Sequence, residues 1–322
     1  MGVLPKAQKF RYYAGGIASQ VLPAAFYRRR RKQLLATMED MAPDEIDEIV
    51  ARASYCNRLV DPFELDPSAV RIRDMRYAGQ SAYFLDARRI VRHFDPDLRF
   101  SFRFGDFRVV PDTPTIIKSR PISRDAPADN ANSVLLKLNQ VRHFRFVNDP
   151  TPFSEKITGV VWRGKCYKER RRNALSGLLD NPHFDIGHTD AKRLDWPGYR
   201  PFMSIADQLR YKFVLSLEGN DVATNLKWIF SSNSLCFMPQ PRYETWFMEG
   251  TLEPYVHYVP LEDDCSDMEE KMHHYAARPA QAEAIIRNAQ RHVERFRNPR
   301  RELLVALLVM EKYFRLSGQA VA

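Results

Sequence analysis

The chain has 322 residues, 44% hydrophobic and 12% aromatic, enough to bury a sizeable core in two domains, so a disordered chain is excluded. Thirteen glycines and 21 prolines follow no repeat period, which excludes collagen-like and low-complexity architectures. Forty-nine Lys and Arg against 40 Asp and Glu give a net charge of +9, a balance that suits an anionic partner: nucleic acid, a membrane surface or a phosphorylated small molecule.

Residues 12–27 are mildly apolar and precede Arg28, Arg29, Arg30, Arg31 and Lys32. Gly, Ser, Gln and Pro interrupt the stretch, which is too short to span a bilayer, and its charges follow it, unlike a secretory leader. Gly2 lacks the Ser or Thr at position 6 that N-myristoylation prefers. Two readings stand: a surface helix with a solvated basic end, or an electrostatic foothold on an anionic leaflet at about 1 kcal/mol per basic residue. Residues 36–53 read as a helix, with Pro43 near its start, acids in its first turn and an apolar stripe of Ile46, Ile49, Val50 and Ala53. Residues 100–104 alternate Phe with polar residues, a strand that runs into a turn at Gly105-Asp106. Strands follow at 114–119 and 133–138, separated by a polar loop at 121–132. Residues 147–156, with two prolines and few core formers, read as a linker.

From 157 the pattern turns regular. Strands at 157–164, 184–189, 211–219, 234–239 and 256–261 alternate with helices at 166–179, 203–210 and 222–232. A helix capped by Ser266 runs to about 276, and helices follow at about 280–296 and 300–316. This alternation predicts parallel βαβ units, whose ligands collect beyond the carboxyl ends of the strands. The turns at 163–172, 218–225, 239–246 and 262–266 are therefore the places to search. Cys56, Cys166, Cys236 and Cys265 are widely spaced with no CxxC pair, so neither a disulfide framework nor a structural zinc site is indicated, and a reducing compartment fits. Cys236 reads as a small core residue.

Several turns carry chemistry-bearing residues. Trp162-Arg163-Gly164 ends a strand and precedes Lys165, Lys168, Arg170, Arg171 and Arg172. A glycine lets backbone approach a ligand, and arginines at a helix start suit phosphate, although a solvated basic helix face has the same composition. Leu217-Glu218-Gly219-Asn220-Asp221, then Asn225 and Lys227, repeats the arrangement with neither GxGxxG nor a P-loop. Asp106, just past a strand on a Gly turn, can act as a general base or simply bond its own turn. Glu262-Asp263-Asp264 complements a helix N-terminus better than it builds a metal site, since no His or further carboxylate is spaced to complete the shell. His273 and His274, adjacent on a helix, do not share a face. Neither GxSxG nor HExxH is present.

Lys212-Phe213, Gly219, Lys227, Ser234-Leu235, Trp246 and Pro254-Tyr255-Val256-His257-Tyr258-Val259-Pro260 form an ordered pattern that resembles glycosyltransferase family 90. That family includes capsule-associated proteins, protein O-glucosyltransferases and bacterial lipopolysaccharide A proteins. Trp162-Arg163-Gly164 is similar to its aromatic-Arg-Gly strand end, and residues 104–122 resemble its N-terminal catalytic stretch. The resemblance covers roughly 100–310.

The resemblance implies an α/β fold of the GT-B-like kind: two Rossmann-type domains facing a cleft, with C-terminal helices. It puts an acceptor-side domain carrying the catalytic Asp at 1–150, a nucleotide-sugar donor domain at 151–298, and a C-terminal helix at 299–322 able to pack back on the first domain. It implies a hexosyltransferase that takes a nucleotide-sugar, UDP-sugar being the expected donor, inverts the anomeric carbon, and requires no metal and no cofactor. Asp106 matches the catalytic aspartate. Arg163, Gly164, Arg171 and Lys227 are expected to stabilise the leaving diphosphate, Gly219 and Asn220 to admit the donor, and Glu244 to meet the ribose hydroxyls. Asn225 stands where eukaryotic members carry an arginine, which shifts the expected diphosphate contacts toward Arg163 and 170–172. Without the eukaryotic leader and retention signal, the bacterial branch and a cytoplasmic address fit best, with peripheral contact at the anionic inner leaflet. The expected partners are a nucleotide-sugar and a glycan or glycolipid acceptor such as lipopolysaccharide core, and no nucleic acid. Two other classes stay open. A basic nucleic-acid-binding protein is motivated by charge and by Arg142-His143-Phe144-Arg145-Phe146, without an RRM, KH or helix-turn-helix signature. A phosphotransferase on core sugars would need a nucleotide loop and metal carboxylates that the sequence does not display.

Overall fold

The computed structural model describes residues 6–18, 22–124, 126–166 and 168–321; Gly2, residues 19–21 of the apolar N-terminal stretch, Asp125 and Tyr167 lie outside them. Contacts divide the chain into two units. The first holds residues up to 141, 243–250 and from 296 onward; the second holds 142–242 and 251–295. The fold class is mixed α/β, with a parallel sheet and C-terminal helices.

The first unit opens with α1 (Lys6–Ala18) and α2 (Ala24–Ala36). The basic run on α2 is not uniformly solvated. Arg31 is buried with its guanidinium 4.8 Å from the Phe94 ring centre, and Arg28 pairs with Asp95 at 3.7 Å. Among the described residues, no helix is long and apolar enough to cross a membrane. The predicted helix at 36–53 is α3 (Pro43–Cys56), which starts at its proline because Pro suits the first helical turn; Thr37–Asp40 form a separate 3-10 turn. Its buried face is Ile49, Arg52, Ala53 and Cys56, whereas Val50, placed in the stripe by sequence, is 45% exposed. Arg52 can be buried because it donates to Glu302 at 2.5 Å and lies 4.5 Å from the Phe296 ring centre.

Strands β1 (Val70–Arg71) and β2 (Arg99–Phe100) pair antiparallel, with α4 (Ser81–Val91) between them in sequence. The Phe alternation at 100–104 yields only β2 and a single bridge from Phe102 to Ile116, not a full strand. It still sets the faces: the Phe100, Phe102 and Phe104 rings stack at 5.2 and 4.6 Å. Next come β3 (Thr115–Ile117), β4 (Ser119–Pro121) and β5 (Ser133–Leu135), with β3 and β5 parallel, then α5 (Gln140–His143).

The second unit is built on β6 (Ile157–Gly164), α6 (Glu169–Ser176), β7 (Phe184–His188), α7 (Ile205–Gln208), β8 (Tyr211–Leu215), α8 (Leu226–Phe230) and β9 (Leu235–Pro239). The chain then leaves for β10 (Tyr243–Thr245), which pairs antiparallel with β4 in the first unit, and returns for β11 (Val259–Leu261), α9 (Met268–Ala276) and α10 (Pro279–Glu294). Strand order is β11-β9-β8-β6-β7, all parallel. Strands covered on both faces read as continuous apolar runs, and Val160-Val161-Trp162, Phe213-Val214-Leu215 and Leu235-Cys236-Phe237 are buried throughout. Ala282, Ile285 and Ile286 of α10 join this core, each large apolar side chain contributing about 1.5–3 kcal/mol.

Several boundaries differ from expectation. β8 stops at Leu215 and α8 begins at Leu226, because side-chain bonds hold the turn between them. Ser266 does not cap α9: its N–H donates to Asp264, and the helix starts at Met268. The expected linker at 147–156 is pinned into the second unit. Phe153 is buried, Lys156 pairs with Asp149 at 2.8 Å, and Asp149 also accepts from the Asn233 N–H at 2.9 Å. Finally α11 (Pro299–Leu316) rejoins the first unit, capped by Asn298, whose side chain accepts from the N–H groups of Arg300 and Arg301 at 3.0 and 3.1 Å, and packs on α3.

Candidate functional site

Asp106 follows Gly105, whose φ of 133° is open to glycine and costly for other residues. On one side the Phe ladder continues onto α4, with the Phe104 and Tyr83 rings 5.7 Å apart. On the other side lies Lys118, between β3 and β4. Asp106 Oδ1 accepts from Lys118 Nζ at 2.5 Å and, more weakly, from the Tyr83 hydroxyl at 3.4 Å. Lys118 is buried, at 2% side-chain exposure, while Asp106 keeps 23%. The carboxylate is thus held by a buried ammonium while staying partly exposed, an arrangement that can take a proton from an incoming hydroxyl. Sequence reasoning missed Lys118; the available signal was a lysine directly after Ile116-Ile117.

In the second unit the carboxyl ends of the strands are bound together by charge. Arg171 of α6 donates to the carbonyls of Lys165, Glu218 and Leu217 at 2.9, 2.9 and 2.6 Å, and so staples the turn after β6 to the turn after β8. Gly219 admits this arginine: a Cβ there would stand 3.2 Å from Arg171 Nη2. Gly164 meets the Trp162 ring, which a Cβ would strike at 2.6 Å. Arg170 bonds Asp263 at 2.9 Å and Glu218 at 3.4 Å, and Arg242 also pairs with Asp263, so of the acids at 262–264 Asp263 is held by two arginines. Asn220 sits half-buried in the Gly219 turn.

Other expected donor residues face inward. Arg163 is turned onto β7, where it pairs with Asp185 at 2.5 Å and donates to the carbonyls of Asp185 and Pro201. The Asn225 side chain accepts from Ser216 Oγ at 3.1 Å and donates to the Leu215 carbonyl at 2.9 Å, clamping the end of β8. Lys227 is fully buried, 6.0 Å from the Phe144 ring centre. Glu244 lies in the first unit, on β10, and is fully buried; it accepts from Arg120 at 2.7 Å and from the Tyr55 hydroxyl, with Arg58 at 3.3 Å. Glu244 is thus engaged by Arg120 and Tyr55 inside the first unit, whereas its expected place was beside the ribose hydroxyls.

Beyond β6 and β7 the sheet edge opens into a recess of about 210 Å³ lined by Cys166, Arg172, His188, Asp190, Arg193 and Trp196 among others. His188 is buried and stacks on Trp196 at 4.9 Å, and burial pushes the Cys166 thiol up to about 11. His188, Arg193 and Trp196 were not singled out by sequence, because the loop that carries them has no strong periodicity. The run at 142–146 is partly buried: His143 is buried, and burial lowers the Arg145 pKa. Arg142, Phe144, Arg145 and Phe146 are half-buried, so the patch that motivated a nucleic-acid reading is not a fully exposed basic surface. Among the described residues, His183, Glu269 and His273, all exposed, bring one ligand atom each within 4.8 Å of the others; the neighbour of His273 is His183, not His274.

Comparison with known proteins gives the family. The glycosyl transferase family 90 profile matches residues 135–301, a stretch that begins after Asp106 and Lys118. The O-glucosyltransferase LpsA of Dichelobacter nodosus is 43% identical over 309 residues, 96% of this chain and 96% of that protein. Protein O-glucosyltransferase 3 of Homo sapiens is 26% identical over 242 residues, 68% of this chain and 47% of that protein. Protein O-glucosyltransferase 2 of Danio rerio is 26% identical over 132 residues, 37% of this chain and 25% of that protein. The chain belongs to glycosyl transferase family 90 and is a glycosyltransferase.

Proposed function

We propose that this enzyme moves a sugar, glucose first among the candidates, from a nucleotide-sugar donor to a hydroxyl of a cell-surface glycan such as lipopolysaccharide core. The names of its relatives support O-glucosyl transfer. The observation that carries the mechanism is the partly exposed Asp106 carboxylate paired with the buried Lys118. Asp106 accepts the proton of the acceptor hydroxyl. The hydroxyl oxygen bonds the anomeric carbon from the face opposite the leaving group. The bond from that carbon to the diphosphate oxygen breaks, the nucleoside diphosphate departs with the electron pair, and configuration inverts. Lys118 and Tyr83 hold the base in place.

The donor belongs at the carboxyl edge of the parallel sheet, where such folds collect nucleotides. Arg172 and Arg193 on the recess supply positive charge for the diphosphate, Arg171 and Gly219 shape the adjoining turns, and these cations take the part a metal plays in other transferases. In this reading the two units act as a GT-B-like pair, the first serving the acceptor and the second the donor, at the cytoplasmic face of the inner membrane.

The test is incubation of the purified chain with UDP-glucose and a panel of other nucleotide-sugars, with and without EDTA, scoring nucleotide release and transfer. Asp106→Asn should lower transfer about 10²–10⁴-fold while nucleotide-sugar binding persists. Full activity in that variant removes Asp106 from the role, and loss of activity in EDTA removes metal independence.

A further inference from the structure

The basic run on α2 has no part in the reaction above, yet the structure gives part of it a place. Tyr27 and Arg30 of α2 border a cavity of about 290 Å³ inside the first unit. Its wall carries Arg30, Arg89, Arg92, Lys137 and Arg297 against two acids, Asp86 and Glu302. Both acids are committed to internal donors. Asp86 accepts from the Tyr12 hydroxyl at 2.6 Å and the Gln140 N–H at 2.9 Å, and Glu302 accepts from Lys137 at 2.7 Å and Trp246 Nε1 at 2.8 Å. Ile90, Leu303 and the Phe296 ring give the same cavity an apolar floor. An excess of arginines over an apolar and aromatic floor suits a sugar that bears an anionic group, since guanidinium forks bind phosphate oxygens and rings pack on sugar faces. The volume lies near the lower end of small-molecule sites, which begin at about 300 Å³, and fits a single sugar phosphate better than a nucleotide-sugar.

Helix α4 contributes to this cavity and also reaches Asp106. Tyr83 of α4 touches Asp106, and Arg89 follows on the same helix about 9 Å further along the axis. We propose that this cavity is an acceptor subsite that binds a phosphate-bearing sugar of the acceptor glycan, anchoring it while a neighbouring hydroxyl reaches Asp106. The proposal rests on the reading of the first unit as the acceptor side.

The experiment uses the full chain and reads no turnover. Glucose 6-phosphate and glucose are titrated calorimetrically into the wild type and into the double variant Arg30→Gln, Arg297→Gln, whose side chains lie on exposed residues, with melting temperature checked for both. Glucose 6-phosphate should bind at least about tenfold more tightly than glucose, more weakly as salt rises, and the double variant should lose about tenfold of that affinity at unchanged melting temperature. Equal affinity for the two sugars, or unaltered affinity in the double variant, overturns the proposal. Phosphatidylglycerol vesicles form the second arm: capture by vesicles that depends on the same arginines, without glucose 6-phosphate binding, assigns the run to a membrane surface and also overturns it. An active Asp106→Asn enzyme would sink the base assignment and leave these titrations untouched, so the two failures are distinguishable.

Discussion

The Lys118 ammonium lies 2.5 Å from Asp106 and is buried, while the carboxylate it holds stays 23% exposed. A surface ion pair would be worth little, but here one partner has been withdrawn from water and fixes the other in one orientation. The side-chain freedom that an exposed turn aspartate normally has is reduced, and the carboxylate stays partly exposed.

Lys118→Met should therefore lower kcat by about 10²-fold, the order expected when a reacting group is misplaced by about an ångström, with a smaller change in donor KM. Lys118→Arg should recover part of the loss, because it restores the charge with a bulkier fork. Equal loss in both variants, tracked by melting temperature alone, would reduce Lys118 to a structural role.

The two units differ in how much of them the sequence discloses. The sheet of the second unit is legible because buried parallel strands read as uninterrupted apolar runs, such as Phe213-Val214-Leu215. The first unit uses strands of two or three residues, too short to show a period, and its α4 mixes buried Asp86 with Leu85 and Ala87, which blurs the apolar stripe. β10 pairs with β4 across more than a hundred residues, and no local signal encodes such a partner. The same limit governs the site. Asp106 is marked by its Gly turn, but Lys118 and Glu244 are charged residues whose burial depends on partners elsewhere in the chain.

Glu244 and Arg120 are both completely buried and bonded at 2.7 Å, with the Tyr55 hydroxyl on the other carboxylate oxygen. Glu244→Gln removes a buried charge opposite Arg120 and should cost about 3 kcal/mol of stability, read as a fall in the urea midpoint, with donor KM unchanged in the folded protein. Gly250→Ala should act in the same direction, since its Cβ would sit 2.4 Å from Glu244 Oε2. An unchanged midpoint together with a raised donor KM would instead place Glu244 at the donor ribose.

Arg171 ties the turns after β6 and β8 through three carbonyls. Arg171→Met leaves those carbonyls to water and loosens the edge on which the donor is proposed to sit. Donor affinity should fall about tenfold, measured by titration with UDP-glucose, whereas kcat at saturating donor should change less. A variant that binds donor normally would place the donor away from this edge.

His93 supplies a pH dependence of stability. Burial, assisted by the nearby Arg92 and Arg30 charges and opposed by its bond to the Ile90 carbonyl, lowers its pKa to about 4. In the unfolded chain a histidine titrates near 6.5. Between those values the unfolded state binds the proton and the native state does not, so stability falls as pH drops through this window and recovers as pH rises, by up to about 3 kcal/mol. Asp86, raised by burial, contributes the opposite slope at the acid end, so the histidine is best isolated by difference. His93→Phe keeps a ring edge-on to Tyr27, now 5.2 Å away, and removes the titration. Urea unfolding at pH 7, 6 and 5 should show the wild type losing stability more steeply than the variant. Parallel slopes would mean that His93 titrates alike in the native and unfolded chains, and that burial does not lower its pKa.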